Sequence, residues 1–452
     1  MRIGKLFLFL TSALILPAQL LWGLEAGVAR IDITPVTGLA MSGFAARKSP
    51  SAGVLDPLYA RVLVLRSGSR SFGLVVYDLI GTLDKNTSCW LKKEISSRTG
   101  LGEVIFIATH THSGPQIKDE EKIEDLPDWE RAICNKTIDA FQEAYRALKP
   151  VRIGTGWGAA DLTYNRIKVQ ADRRVEMIWE NHQKTPLGPV DQTVGVIRID
   201  DLEGNPVAIL VNYACHPVIL GSDNLLYSAD FPGVLCRELQ KNVKGNPLCI
   251  FINGACGDMN PYYADENEKP KERIEEVGRE LAQEAARITE KITTRPYAED
   301  STILWQIKYY NAAGRWDTEK WKALEPNEKT WKMIENMGEK EKDLNLPLSL
   351  VLITPEIGLV GLPGEFFCGF QEEIRARSPV DFLFIAGYTN GGFGYFPTID
   401  AAVKGGYGAN DEATYTRPGT GEYLAVEAAV GLYELLGKLR PIPAKPEKGY
   451  QY

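Results

Sequence analysis

Histidine is scarce in this chain: only four occur among 452 residues. Cysteine is sparse as well. The seven cysteines (Cys89, Cys134, Cys215, Cys236, Cys249, Cys256 and Cys368) are scattered, and no Cys-x-x-Cys pair exists. That pattern supports neither a disulfide framework nor a cysteine-held zinc ion, and most of these side chains read as small buried hydrophobes. There is no long basic run. Lys plus Arg total 51 against 59 for Asp plus Glu, a formal charge of -8, which argues against a nucleic-acid partner. No internal repeat and no low-complexity linker occurs, and after the N-terminus no apolar segment is long enough to span a bilayer. What is present, 44% hydrophobic and 24% charged residues, is the composition of a globular chain with a large core.

The N-terminus differs from everything after it. Arg2 and Lys5 precede an apolar run from Leu6 to Leu16, broken only by Thr11 and Ser12, and Pro17 and small residues follow. Residues 1–23 therefore read as a secretory signal peptide, which implies a secreted or periplasmic protein. The alternative is an uncleaved anchor, because the run through Trp22 approaches spanning length. Residues 24–440 read as a single large catalytic domain. The Pro- and Lys-rich stretch 441–452 reads as a frayed tail.

Buried strands are expected at Val62–Leu65, Gly73–Asp78, Val104–Ala108, Val194–Ile199, Val207–Asn212 and Leu248–Asn253. Helical faces are expected at Ile138, Phe141, Tyr145 and Leu148, and at Ile274, Val277, Leu281, Ala285, Ile288 and Ile292. The fold class is α/β, with mixed β-sheets stacked and flanked by helices. The charged stretch Trp316 to Asp343 reads as a solvated surface helix rather than a lid. Gly387 to Gly421 holds nine glycines among aromatic and polar residues and shows little periodicity. Such a loop is usually functional, and Tyr388, Tyr395, Tyr407 and Tyr415 argue against disorder.

Three of the histidines stand at the ends of expected strands: His110 and His112 in Ala-Thr-His-Thr-His-Ser-Gly-Pro, and His216 in Asn-Tyr-Ala-Cys-His-Pro. His182 lies in a polar stretch and reads as a surface residue. On an extended segment residues two apart project from one face, so His110 and His112 reach toward one point. A catalytic zinc site needs about three protein ligands and an open position. From spacing alone, a metal site and a set of hydrogen-bonded strand-end histidines are equally good readings. Glu365, after Gly361-Leu362-Pro363-Gly364, is either a helix-start acid or an oxygen ligand projected into a cleft. Asp258 follows a strand in a glycine-containing turn whose backbone amides can meet a substrate oxygen.

Taken together, these residues resemble the neutral, or non-lysosomal, ceramidases, zinc amidases that hydrolyse N-acyl sphingosines. The resemblance is carried by Ala29-Arg30-Ile31-Asp32-Ile33-Thr34-Pro35, Met41-Ser42-Gly43-Phe44, Asp56-Pro57-Leu58-Tyr59-Ala60-Arg61 and Thr109-His110-Thr111-His112-Ser113-Gly114-Pro115. It continues through His216, Ser228-Ala229-Asp230-Phe231-Pro232-Gly233, Gly257-Asp258, Pro363-Gly364-Glu365 and Thr389-Asn390 with Tyr395.

The resemblance implies zinc held by His110, His216, Glu365 and Tyr395, with His112 beside it contacting substrate and transition state. Zinc-activated water would attack an amide carbonyl, and His112 would serve the oxyanion or the leaving group. The sequence departs from the family where the ceramidases have Gly-Asp-Val-Ser-Pro-Asn. Here Asn260 replaces the serine, and its amide can donate to a substrate oxygen. The family's C-terminal immunoglobulin-like domain has no counterpart in the chain. Both departures turn the expectation from ceramide toward another small-molecule or lipid-like N-acyl substrate, with His112, Asn260 and Asp258 as catalytic candidates. A true ceramidase and a secreted zinc-containing binding protein are the alternatives, the latter disfavoured by the retention of His112. A metallo-β-lactamase-type hydrolase is excluded because the string lacks that family's Asp-His.

Overall fold

The structure, a computed structural model, describes residues 23–439 apart from 119, 121, 298–302, 324–330, 332–334, 336–343 and 411–412. The expected signal peptide, all but Gly23, and the expected tail lie outside the described residues, as does most of the stretch from Trp316 to Asp343.

Eight strands form the large sheet: β1 (Glu25–Asp32), β2 (Tyr59–Ser67), β3 (Arg70–Tyr77), β4 (Glu103–Ala108), β5 (Lys149–Ala159), β6 (Thr193–Asp201), β7 (Pro206–Tyr213) and β8 (Leu248–Asn253). Their spatial order is β8-β7-β6-β5-β1-β2-β3-β4. A second sheet has the order β9 (Leu304–Asn311), β10 (Asn345–Thr354), β11 (Ile357–Gly361), β12 (Phe382–Ala386). Six principal helices cover them: α1 (Lys85–Thr99), α2 (Asp128–Arg146), α3 (Asp230–Asn242), α4 (Pro270–Lys291), α5 (Gly369–Arg377) and α6 (Thr420–Leu435).

The layering follows from alternation along the strands. Leu63 and Leu65 of β2, Leu74 and Val76 of β3, and Ile250 and Ile252 of β8 pack with Val351, Ile353 and Leu359 of the second sheet. Their neighbours point the other way, Val62, Val64 and Val75 toward Leu91 of α1 and Phe141 of α2. On the other half of the sheet, Cys249 and Phe251 face Leu235 of α3 and Leu281 of α4. Leu348, Leu350 and Leu352 of β10 face Phe370 of α5 and Leu424 of α6. A period-2 strand with both faces buried must be apolar throughout, which is why these segments stand out in the sequence. The result is two stacked mixed sheets with helices on both outer faces.

Most neighbours are antiparallel, and the β2–β3 hairpin turns through Gly68 at φ 56°. Within these two sheets three pairs are parallel: β3–β4, β7–β8 and β11–β12. Each needs a crossover and gets a helix, α1, α3 and α5 respectively. Asp84 fixes the start of α1 by accepting hydrogen bonds from the Asn86 and Thr87 amides at 2.8 and 3.0 Å. Ligand sites in α/β sheets lie beyond the carboxyl ends of parallel strands. Here the ends of β4, β7, β8, β11 and β12 meet, and the buried amide of Asn253 ties two of them by donating to Thr109 O and Cys215 O, both at 3.0 Å.

Some expectations are corrected. Leu148 and Ile292 lie past the last residues of α2 and α4. The glycine-rich stretch contains short regular pieces, a strand at Tyr395–Phe396 and a helix at Ile399–Lys404, before α6 begins. Pieces that short carry too few repeats to register as periodicity. Among the described residues, no helix is long and apolar enough to cross a membrane.

Candidate metal centre

His110 follows β4 in a left-handed backbone conformation, φ 71°. A non-glycine residue holds that conformation only when its surroundings enforce it. Here the His110 amide donates to Leu79 O at 2.9 Å, Nδ1 lies 2.6 Å from Ile80 O, and the ring stacks on Tyr388 at 3.9 Å and 16°. His216, fully buried after β7, places Nδ1 3.0 Å from Met259 O. A carbonyl oxygen only accepts, so both Nδ1 atoms carry the proton and both Nε2 atoms are left for another partner.

Those Nε2 atoms converge on one oxygen. Glu365 Oε2 lies 3.1 Å from His216 Nε2 and 3.3 Å from His110 Nε2. Burial pushes the His216 imidazole down to about 4, so it is neutral at physiological pH. Burial would raise the Glu365 carboxyl, but attraction to positive charge at the His110 and His216 positions outweighs it and holds it well below the usual range, which is the stabilisation a cation held between them would supply. A neutral imidazole nitrogen facing an ionised carboxylate at this distance leaves two acceptors opposed, an arrangement a cation between them resolves. Two imidazoles and a carboxylate, with the imidazoles oriented by backbone carbonyls, form a donor set that fits zinc.

His112 joins the cluster as its spacing implies. Its Nε2 is 3.2 Å from His110 Nε2, and the ligand atoms of His110, His112 and His216 lie within 4.8 Å of one another. Burial, followed by the neighbouring His110 and His216, holds the His112 imidazole well below its ordinary pKa. Its Nδ1 is buried without a hydrogen-bond partner. The segment Met41–Arg47 is pressed against it: a Cβ on Gly43 (φ 108°) would come within 2.5 Å of the His112 side chain, and Phe44 meets the ring edge-on at 5.1 Å. Arg47 ties the arrangement together, donating through Nη1 to Ser42 O at 2.7 Å and His112 O at 2.8 Å, and through Nη2 to Gly221 O at 3.1 Å.

Tyr395 enters through strand pairing. The two-residue strands Glu365–Phe366 and Tyr395–Phe396 are parallel with Glu365 opposite Tyr395, which puts both candidate oxygen ligands on one register position. Burial raises the Tyr395 phenol well above its ordinary pKa, partly opposed by Arg166, which donates from Nη2 to the phenol oxygen at 3.2 Å. Arg166 also donates to Gly257 O at 2.6 Å and, from Nη1, to Asn260 Oδ1 at 3.3 Å. It is almost wholly buried, and its Nε has no partner. Sequence reasoning missed this residue. Nothing in Tyr164-Asn165-Arg166 distinguishes a buried arginine from the surface ones.

Asn260 sits beside Arg166, which donates to its Oδ1, and stands opposite Tyr164 in a short antiparallel strand pair. Asp258 is placed differently from a group aimed at substrate. Its carboxylate accepts from the Cys368 amide and from Asn165 Nδ2, both at 2.7 Å, while its carbonyl accepts from Arg166 N at 2.9 Å. It anchors the loop that carries Arg166's partners. His182 is exposed against Tyr263, in keeping with a surface role.

The family model described as neutral/alkaline non-lysosomal ceramidase, N-terminal, matches residues 24–293, which include His110, His112 and His216. Neutral ceramidase B of Dictyostelium discoideum is 28% identical over 172 residues, 35% of this chain and 23% of that protein. Neutral ceramidase A of the same organism is 28% identical over 173 residues, 35% of this chain and 24% of that protein. The matched part is thus about a quarter of the length of these relatives. The crystal structure of neutral ceramidase from Pseudomonas aeruginosa superposes with a TM-score of 0.69 at 17% identity, covering 94% of this chain and 77% of that one. A ceramidase complexed with C2 gives a TM-score of 0.71 at 17% identity, covering 91% and 76%. These two share the fold.

Proposed function

The chain belongs to the neutral/alkaline non-lysosomal ceramidase family, and on that premise we propose that it is an exported, zinc-dependent hydrolase of an amide or another polar carbonyl substrate. The observation that carries the reading is the convergence of His110 Nε2, His216 Nε2 and Glu365 Oε2. Those three residues and Tyr395 would hold the metal. Bound zinc supplies Lewis acidity toward a carbonyl oxygen and lowers the pKa of water.

The protein groups around it have separate tasks. His112, held neutral at physiological pH by its burial, would take the proton that the attacking water gives up and return it to the leaving nitrogen. Tyr388 and the Ile80 carbonyl fix the His110 ring, and the Met259 carbonyl fixes that of His216. Arg166 holds the Tyr395 phenol and balances negative charge beside Glu365. The segment Met41–Arg47 packs against the His112 side chain and holds its backbone carbonyl through Arg47.

The substrate in this reading is a polar N-acyl compound. Asn260 replaces the serine of the ceramidases and is tied to Arg166, so a pocket shaped for sphingosine is altered at that point. The likeness of the whole fold to ceramidases supports ceramide itself as the second reading. Export rests on Arg2, Lys5 and the apolar run Leu6 to Leu16. Hydrolysis of a fluorescent ceramide beside a panel of polar amides and esters, with and without chelator, tests the proposal. Chelator-sensitive release from a polar amide supports it. Turnover of ceramide faster than every polar amide returns the assignment to a ceramidase, and no metal-dependent hydrolysis refutes the reading.

A further inference from the structure

Trp179 stands where Arg166 reaches toward Tyr395, in the loop between the strand Val175–Met177 and β6. Its indole meets Tyr407 edge-on at 5.4 Å and lies 5.5 Å from the Arg166 guanidinium, which is 5.2 Å from the Tyr407 ring and 5.6 Å from that of Tyr395. Tyr407 in turn meets Tyr395 at 5.4 Å. A continuous set of rings therefore runs from the candidate metal ligand Tyr395 outward to Trp179. At its outer end Trp179 remains 46% exposed and Tyr407 41% exposed.

The exposed indole does not support the core, since Trp179 belongs to none of the hydrophobic clusters beneath it. Its position is nonetheless fixed. The preceding residue, Ile178, donates its amide to Arg166 O at 2.8 Å and accepts from the Tyr164 hydroxyl at 2.9 Å. Two residues on, Asn181 closes the turn by donating to Thr185 O at 2.8 Å and accepting from Thr185 N at 2.9 Å. A rigid aromatic surface presented to solvent beside a reaction centre is a preorganised contact for a ligand.

The neighbours define the kind of ligand. An alkyl chain is held by apolar walls on several sides, whereas this indole is backed by a guanidinium and by Asn260 beyond it. Arg166 and Asn260 are themselves buried behind it, at 4% and 3% exposure, so what the indole offers to solvent is a flat aromatic face, which suits a ring that is apolar on its face and carries its hydroxyls outward at the edge. We propose that Trp179 is the stacking platform for a pyranose, and that the scissile amide is carried by an N-acylated amino sugar. The second half rests on the amide-hydrolase reading, whereas the platform itself does not.

Saturation-transfer NMR titration of the full zinc-loaded protein with N-acetylglucosamine, beside the acyclic amide N-acetylethanolamine, tests the inference. The pyranose should receive magnetisation from aromatic protons and bind more tightly than the acyclic amide. Trp179→Ala should weaken pyranose binding about tenfold and Trp179→Phe much less, with acyclic binding unchanged in both. Equal affinity of the wild-type protein for the two probes, or pyranose binding that survives Trp179→Ala, overturns the platform. The wild-type transfer signal decides the matter even if Trp179→Ala does not fold. Product release is followed in parallel: Trp179-dependent binding without hydrolysis supports the platform and contradicts the hydrolase, while hydrolysis of acyclic amides with no Trp179 dependence does the reverse.

Discussion

His216 Nε2 lies 3.1 Å from Glu365 Oε2, although 149 positions separate the two residues in the chain. The first follows β7 in the large sheet, the second follows β11 in the other, and only the stacking of the sheets brings them together. A neutral imidazole nitrogen held against an ionised carboxylate is stable when a cation joins them, so the relationship makes definite demands on the surrounding residues.

Arg166 is the first of these. It bridges Gly257 O, Asn260 Oδ1 and the Tyr395 oxygen, so its loss frees a ligand rather than removing one. Arg166→Gln should weaken zinc affinity about 10–100-fold, measured by competition with a chromophoric chelator. Arg166→Lys should not restore it, because a single ammonium cannot reproduce the guanidinium fork.

Asp258 should act on stability before chemistry. Asp258→Ala leaves the Cys368 amide without its acceptor and Asn165 Nδ2 with Pro189 O but not the carboxylate, at a cost of about 3 kcal/mol for buried donor groups left unpaired. Chemical denaturation of the zinc-loaded protein should show that loss, with zinc content retained. Unchanged stability together with lost turnover would instead give Asp258 a direct part in the reaction.

Asp230, at the start of α3 and distant in role from the metal, should control part of the pH dependence of folding. Burial raises its folded pKa from 3.8 to about 7, against hydrogen bonds from the Leu220 and Phe231 amides and with Asp56 adding to the rise. A raised carboxyl stabilises the fold below the unfolded value and loses that contribution as pH rises through the folded one. Stability should therefore fall between about pH 4 and pH 7 by an amount on the order of 4 kcal/mol from this group. Asp230→Asn should flatten that part of the profile in thermal or urea unfolding.

The proposed signal peptide makes a separate prediction. Expressed in a Gram-negative host, the chain should be cleaved between Ala18 and Ala26 and recovered outside the cytoplasm. Intact-mass measurement showing exported protein that retains Met1 would contradict this.

Much of the centre was legible because histidine is rare and the strands before it are apolar on both faces. His110, His112 and His216 could be placed at strand ends, and His110 with His112 on one side, from spacing alone. Glu365 and Tyr395 could not be joined that way. Their meeting depends on pairing between two strands of two residues each, and the resemblance to known amidases supplied it. Arg166 and Tyr388 escaped altogether, since burial of an arginine and stacking of a tyrosine on His110 are tertiary facts with no local pattern. Asp258 was read from the right turn, but its carboxylate faces Asn165 and Cys368 because the fold folds β8's loop over α5's start.

Zinc stoichiometry by elemental analysis of the purified full-length protein and its His110→Ala, His216→Ala and Glu365→Gln variants tests the central claim most directly. About one zinc per chain is expected in the wild-type protein, none retained in either histidine variant, and reduced but measurable occupancy in Glu365→Gln. Full occupancy in both histidine variants would contradict the account.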